Sequence, residues 1–444
     1  MFDEFDVLII GAGPAAAAAL IGIEQTASLC IVTGSIFGRN ARTKDIHAKI
    51  RAVADSQKEI PGVIDPIPIS GWTRPALCTA VTGGLANYWG QQFIRYCSSE
   101  EWPRQYFDGY EVYQACCSQI EAEFFFDESN EPSKPNQTAL GAYKVCSPRL
   151  LAGTKANVNA GLLAMRQLIE QKLIARRATK IEDRVDSLAF IGARWKATLS
   201  GGKVISAQRI VLAAGVLGTA SIVMRSFLEI QSVLVRDHSP LMLYTVGLNK
   251  LLGTTRKGPD PHFNVQTLQR DTDGEGFVLF ASVYNMRYAE LNLVLNMVIG
   301  KSVAALAGSR APWPANWINP VQVWTKSTIT TVCIERGHNS VAAHVESQPN
   351  FRTDTELSKF VAAMRDNSVL VVKISETPPL QGYHFHGLEI STDNAHYIPI
   401  KEYLEYCSSG SLICADASVL SRISCRPHTE TVMATALRSA TNLR

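Results

Sequence analysis

Four apolar residues, Val7 to Ile10, follow Asp6 and run into Gly11-Ala12-Gly13-Pro14-Ala15-Ala16 and an alanine run. A short apolar run closed by glycines predicts a buried strand at 6–10, and the alanine-rich stretch predicts a helix at 14–24. A second apolar run, SLCIV, predicts a strand at 28–32, so the chain opens as βαβ. Residues 40–73 are polar, carry Pro61, Pro66 and Pro68, and read as irregular. Gly83-Gly84 opens a further loop running to Gly90. Helices are expected at 108–124, 157–175 (leucines at helical spacing) and 216–227, with a surface loop at 127–139. Strands are expected at 184–190, 193–199 and 203–206, with Gly201-Gly202 as a hairpin turn. Residues 209–214 (RIVLAA) read as a buried strand ending at Gly215. Residues 240–375 alternate like antiparallel strands, as at 277–284 and 328–334. Residues 411–444 return to strand, loop and helix. No internal repeat or low-complexity segment is present.

The opening turn has a specific chemistry. Gly11 permits the turn. Gly13 lacks a side chain, so a pyrophosphate can approach the backbone. Ala16 takes the third position, where a small residue lets helix and strand pack closely. The helix N-terminus that follows offers free N–H groups and a positive dipole end. A dinucleotide is the expected ligand. The second strand of such a unit ends in an acid that binds the ribose diol, but here it ends in Thr33-Gly34. A threonine hydroxyl cannot take a diol bidentately, which makes NAD a poorer fit than FAD.

At 444 residues, 46% hydrophobic and 19% charged, the chain can build two domains. A net charge of +3 without a basic tract gives no pull toward nucleic acid. The ten cysteines include one adjacent pair, Cys116-Cys117, and no CxxC. No zinc or dithiol spacing is signalled, and they read as mostly reduced, buried thiols of a cytoplasmic protein. The acidic start, with Asp3, Glu4 and Asp6, is unlike a secretory signal. Residues 291–308 are fairly apolar but contain Lys301 and two asparagines. They read as a buried helix or hairpin, with a lipid-facing or substrate-entry flap as the alternative, and no transmembrane segment is expected.

Six segments in order resemble the glucose–methanol–choline (GMC) family of flavin oxidoreductases. They are the GAGPAA turn; Thr82-Gly83-Gly84-Leu85-Ala86-Asn87-Tyr88-Trp89-Gly90 with Trp102-Pro103; Ala207 to Gly215 with Gly218-Thr219-Ala220; Val235-Arg236-Asp237-His238-Ser239-Pro240; His384-Phe385-His386-Gly387; and Cys414 to Val419 followed by Pro427 to Ala434. The resemblance implies an α/β fold: a Rossmann-like FAD-binding domain from 1–239 and 376–444, with an antiparallel β-sheet substrate-binding domain (α+β) inserted at 240–375. It implies FAD against Gly11, Gly13, Pro14, Ala15, Ala16, Thr33, Gly83, Gly84, Asn87, Tyr88, Trp89, Ala214, Gly215, Asp416, Ala417 and Thr429. Tyr88 stands where some members carry a histidine that attaches the flavin, so non-covalent FAD is expected.

The implied activity is oxidation of a CH–OH group of a small or medium apolar metabolite. Hydride passes to flavin N5 while a histidine takes the hydroxyl proton, and oxygen or an electron carrier reoxidises the flavin. Histidine suits this because its pKa lies near neutrality. The candidates are His428 and either His384 or His386. The H-x-x-G spacing selects His384, a one-step shift selects His386, and strand alternation lets both line one pocket. Asp237 and His238 read as structural, holding strand ends. Arg426 reads as a solvated surface residue, with an acidic substrate as the alternative. His47, His262, His338, His344 and His396 lack context, and no metal site is expected. The chain is short for the family, so an open pocket or one closed by a partner copy, as in a homo-oligomer, is expected. The alternatives are a non-redox flavoprotein (isomerase, cyclase or lyase) and a non-catalytic nucleotide-binding protein.

Overall fold

The computed structural model describes residues 3–34, 63–67, 69–72, 76–79, 82–88, 92–124, 136–146, 169–248, 266–272, 276–283, 318–337, 341–393 and 395–443. The chain begins as the opening pattern requires. Strand β1 (Asp3–Ile10) leads into helix α1 (Pro14–Gly22) and strand β2 (Leu29–Thr33). Ala15 to Leu20 are all buried, so α1 has no polar face and its middle lies inside the protein.

β1 is the middle of a seven-stranded sheet. It pairs in parallel with β2 and with the strand Val204–Leu212, and β2 pairs in parallel with Thr179–Glu182. Val204–Leu212 also receives the short strand Leu412–Cys414 in parallel at Ile210 to Leu212. Its first half pairs antiparallel with Arg194–Leu199, which pairs with Val185–Ile191. Segments far apart in sequence thus assemble one α/β layer, and the fold class read from the sequence holds.

Two antiparallel sheets complete the architecture. One runs Val341–Ser347, Ile329–Arg336, Ser232–His238, Phe385–Ser391 and Ile398–Pro399. The other runs Leu370–Glu376, Leu241–Val246, Ile318–Thr325, Gly276–Val283, Gln266–Thr272, Tyr143–Cys146 and Asn136–Leu140. One large core unites the α/β layer with the first of these sheets, and a separate core lies against the second, under the helix Thr355–Asp366.

Several expected elements differ. The stretches 203–206 and 209–214 form one strand, because the polar Gln208-Arg209 lies where the strand changes neighbours. Residues 136–139, read as the end of a loop, belong to the strand Asn136–Leu140, which pairs with Tyr143–Cys146. Within 40–73, Val63–Ile67 pairs with Ala76–Thr79, and the register slips between Ile64 and Ile67, around Pro66, which cannot donate to a ladder. Strands from 240–375 divide between the two antiparallel sheets, and residues 136–146 join the second of them. Of the helix expected at 157–175, residues 169–175 are described and helical. The segment 291–308 lies outside the described residues.

Candidate functional site

The glycine turn is built by close packing. Gly11 has φ +101°, and a Cβ there would lie 2.2 Å from the Ala213 carbonyl oxygen. The end of Val204–Leu212 therefore closes over the turn, with Ala213 N–H donating to Ile10 O at 2.8 Å. Gly13 differs: a Cβ there would meet nothing within 4 Å. The Gly83-Gly84 loop lies beside it. Gly83 N–H donates to Ala12 O at 2.6 Å, and a Cβ on Gly84 would approach Gly13 Cα at 3.6 Å. The two glycine motifs, seventy residues apart, thus form one surface. Gly84–Tyr88 continues as a short 3-10 helix that carries the backbone of Asn87 and Tyr88, and Trp89 lies outside the described residues.

The helices that start at this edge lack side-chain caps. α1 begins at Gly13 with Pro14 at its first position, no capping side chain and no acid in its first turn. The helix Val216–Ser226 begins at Gly215 (φ +74°), beside Ala214, again uncapped, with open space where a Cβ would stand. Uncapped N-termini leave N–H donors unpaired and a positive dipole end, the condition for holding phosphate. The open approach at Gly13 and these donors fit a bound dinucleotide. Thr33 closes β2 in register with Glu182, is buried, and its carbonyl accepts from Asp183 N–H at 3.0 Å. No carboxylate stands at that position.

Asp416 is buried at the end of Leu412–Cys414. It caps the turn Ala417–Val419, accepting from Ser418 N–H at 2.9 Å, and accepts from Thr219 Oγ1 at 2.5 Å. Asp416 therefore joins the last parallel strand to the helix Val216–Ser226. The carboxylate has further lone pairs to offer a hydroxyl ligand. Ala417 lies beside it, and Thr429 starts the final helix, Thr429–Thr441.

The histidines named from the sequence come together. The rings of His384 and His428 meet edge to face, with centroids 5.4 Å apart and an interplanar angle of 89°. His384 stacks on Trp324 at 5.2 Å and 4°. His386, fully buried, points a ring nitrogen at the His384 carbonyl, with Nδ1 at 3.3 Å. A carbonyl only accepts, so Nδ1 carries the proton and Nε2, which has no partner among the described residues, presents a lone pair. His428 bonds the backbone of Phe385, and its Nδ1 has no partner among the described residues. Burial pushes His386 and His428 down to about 3, and neighbouring histidines add to the effect. His384 is lowered as well, first by burial and then by His428. The cluster is neutral at physiological pH, as proton acceptors must be.

A frame fixes His384. Asp237 accepts from His384 N–H at 3.1 Å and from Gly382 N–H at 2.8 Å. His238 Nε2 bonds Thr325 O at 2.8 Å, and the Trp324 indole donates to His238 O at 3.2 Å. Burial raises Asp237 to about 6 and lowers His238 to about 4. Trp324 gave no sequence signal, being one aromatic in an alternating strand.

Arg426 is neither solvated nor free for an acidic substrate. It is buried, and its Nε donates to Glu100 Oε1 at 2.8 Å, while Nη2 pairs with Glu100 Oε2 and donates to Arg95 O at 2.8 Å. It also lies 4.1 Å over the Phe277 ring. The apolar wall and the distant acid, neither visible locally, account for the difference. His344 and His396 lie at the surface beside Glu346 and Asp393. His47, His262 and His338 lie outside the described residues. Among those residues, no helix is long and apolar enough to cross a membrane.

The whole fold resembles that of pyridoxine 4-oxidase from Mesorbium loti, with a TM-score of 0.56 over 98% of this chain and 98% of that one, at 12% sequence identity. No protein-family model and no curated protein sequence matches the chain. At that identity the likeness establishes a shared fold.

Proposed function

We propose that the chain is a flavoprotein that oxidises a CH–OH group of a small or medium apolar metabolite. The observation that carries this reading is the meeting of His384 and His428, neutral and buried, beside the His386 and His428 ring nitrogens that have no partner among the described residues. FAD, held non-covalently, would supply the two-electron acceptor for the carbinol C–H. Gly11, Gly13 and the loop at Gly83-Gly84 would take its pyrophosphate, and Asp416 its ribityl hydroxyls. His428 Nδ1 or His386 Nε2 would accept the hydroxyl proton, and His384, fixed between Trp324 and Asp237, would orient the alcohol. Residues 240–375 would shape the substrate pocket, together with the strands at 136–146. The motifs that resemble the GMC family, and a structural neighbour that is an oxidase of pyridoxine, support the same class.

The test is the absorption spectrum of the purified chain before and after anaerobic addition of candidate alcohols. A flavin spectrum that bleaches with an alcohol, and colour that acid releases into the supernatant, are the expected results. His384→Ala with His428→Ala should slow bleaching by about 10²–10⁴-fold. A colourless protein that FAD does not reconstitute, or a double variant bleached at the wild-type rate, overturns the reading.

A further inference from the structure

The first antiparallel sheet carries three donor side chains that the proposed oxidation does not use. On Ile329–Arg336, Val332 and Ile334 belong to the core, and on Val341–Ser347 so do Ala343 and, partly buried, Val345. Side chains alternate along a strand, so Cys333, His344 and Glu346 share the opposite face. The register sets Cys333 directly opposite His344. It then breaks: Val332 pairs with Val345 but Thr331 pairs with Ser347, leaving Glu346 as the extra residue of a bulge. A bulge re-aims a side chain. Here Glu346 Oε1 stands 2.7 Å from His344 Nε2. One sulfur, one imidazole nitrogen and one carboxylate oxygen all lie within 4.8 Å of one another.

We propose that Cys333, His344 and Glu346 form a site for one divalent transition-metal ion, zinc by preference, with water as the fourth ligand. Zinc bonds of about 2.0–2.3 Å set tetrahedral donor atoms ~3.3–3.7 Å apart. A thiolate and an imidazole select against calcium and magnesium, which take oxygen donors. Cys333 is 2% exposed, a sheltered anchor, whereas His344 and Glu346 are 41% and 47% exposed and give the ion its entry and its water. The Tyr397 hydroxyl, 3.6 Å from Cys333 Sγ and 3.0 Å from Ser232 Oγ, borders the site as an outer partner. Binding deprotonates the Cys333 thiol and releases that proton to solvent. It ties the strand Val341–Ser347, at the end of its sheet, to its neighbour through side chains. The site is independent of the flavin reading, since its donors touch none of the histidine cluster.

Cobalt(II) chloride added to the chelator-treated full chain is the test, read as a difference spectrum against the same protein without cobalt. One equivalent should bind with a thiolate-to-cobalt charge-transfer band, and zinc chloride should displace it. Glu346→Gln and His344→Ala, both at solvent-open positions, should weaken binding at least about tenfold, and Cys333→Ser should remove the band. Cys407→Ser, at an exposed thiol elsewhere, should keep it. A missing band, or one that survives unchanged in His344→Ala and Glu346→Gln, overturns the proposal even if Cys333→Ser fails to fold.

Discussion

Gly11 and Gly13 stand two residues apart in one turn, yet a methyl group would meet different fates at the two. At Gly11 it would press into the Ala213 carbonyl, on a backbone at positive φ. At Gly13 the backbone is extended (φ −91°, ψ −171°) and the added atom would enter open space. Gly11→Ala is therefore expected to cost on the order of 2–5 kcal/mol of stability from strain and overpacking. Gly13→Ala should leave the ligand-free protein within about 1 kcal/mol of wild type in urea denaturation. If the turn holds a pyrophosphate, the same Gly13→Ala should lower FAD affinity at least about tenfold in a flavin-quench titration. Equal FAD affinity in Gly13→Ala and wild type would remove the turn from the cofactor site. The close packing at Gly11 and the open approach at Gly13 were legible in the sequence, because each follows from the absence of a side chain at a known step of a strand–turn–helix unit.

At the scale of the element, the final helix, Thr429–Thr441, is the part of the site whose surroundings the sequence hides most. Its start after His428 is readable from Thr429 and Glu430. What the second residue does is not. Glu430 is 1% exposed and lies between Glu121 and Arg95 of other segments, with Arg95 Nε 3.5 Å from its Oε1 and also 3.0 Å from Glu121 through Nη2. Burial first, then Glu121, raises the Glu430 carboxyl to about 8, and Arg95 only partly offsets this. Cys117 and Tyr113, from the helix Tyr110–Phe124, face the same end, the latter through its hydroxyl 2.8 Å from Thr431 Oγ1. The folded chain thus holds a proton that the unfolded chain releases above its ordinary carboxyl range. Between about pH 4.5 and 8 the native state binds more protons, so this group's contribution to stability falls as pH rises, by up to ~1.4 kcal/mol per unit. Glu430→Gln keeps the shape and removes the titration. The stability difference between variant and wild type, measured in urea, should therefore shift in favour of the variant from pH 5.5 to 8.5. A difference that stays flat across that range would mean that Glu430 is already ionised in the native state.

At the scale of the molecule, the legible features were those whose cause is local. The βαβ start, the hairpin at Gly201-Gly202, the strand before Gly215 and the helix at the end follow from patterns a few residues long. The sheet assignment of 136–146 and of 329–347 did not, because strand partners are chosen by burial across the fold. The metal-donor triad was silent for a related reason: its spacing, 333, 344 and 346, has meaning only once a hairpin register and a bulge are known. Arg426 is the clearest case. Its partner, Glu100, lies 326 positions away, and together they fasten the loop that ends at His428 to the segment 92–100. Glu100 also accepts from Ser424 Oγ at 2.5 Å and Cys97 N–H at 2.6 Å, so four donor groups from two distant stretches converge on one carboxylate. With side chains 10% and 1% exposed, the pair is buried, and the cost of desolvating both ions offsets much of their attraction. The pair as a whole is then worth little, but either member alone is a stranded charge. Glu100→Ala should destabilise the chain by about 3–5 kcal/mol, whereas Glu100→Leu combined with Arg426→Met should recover most of that loss. A urea double-mutant cycle measures both. A single-variant cost below ~1 kcal/mol, or a double variant no more stable than the single, would mean that the loop before His428 is fixed by its apolar packing on Phe277 and Tyr96 rather than by the ion pair.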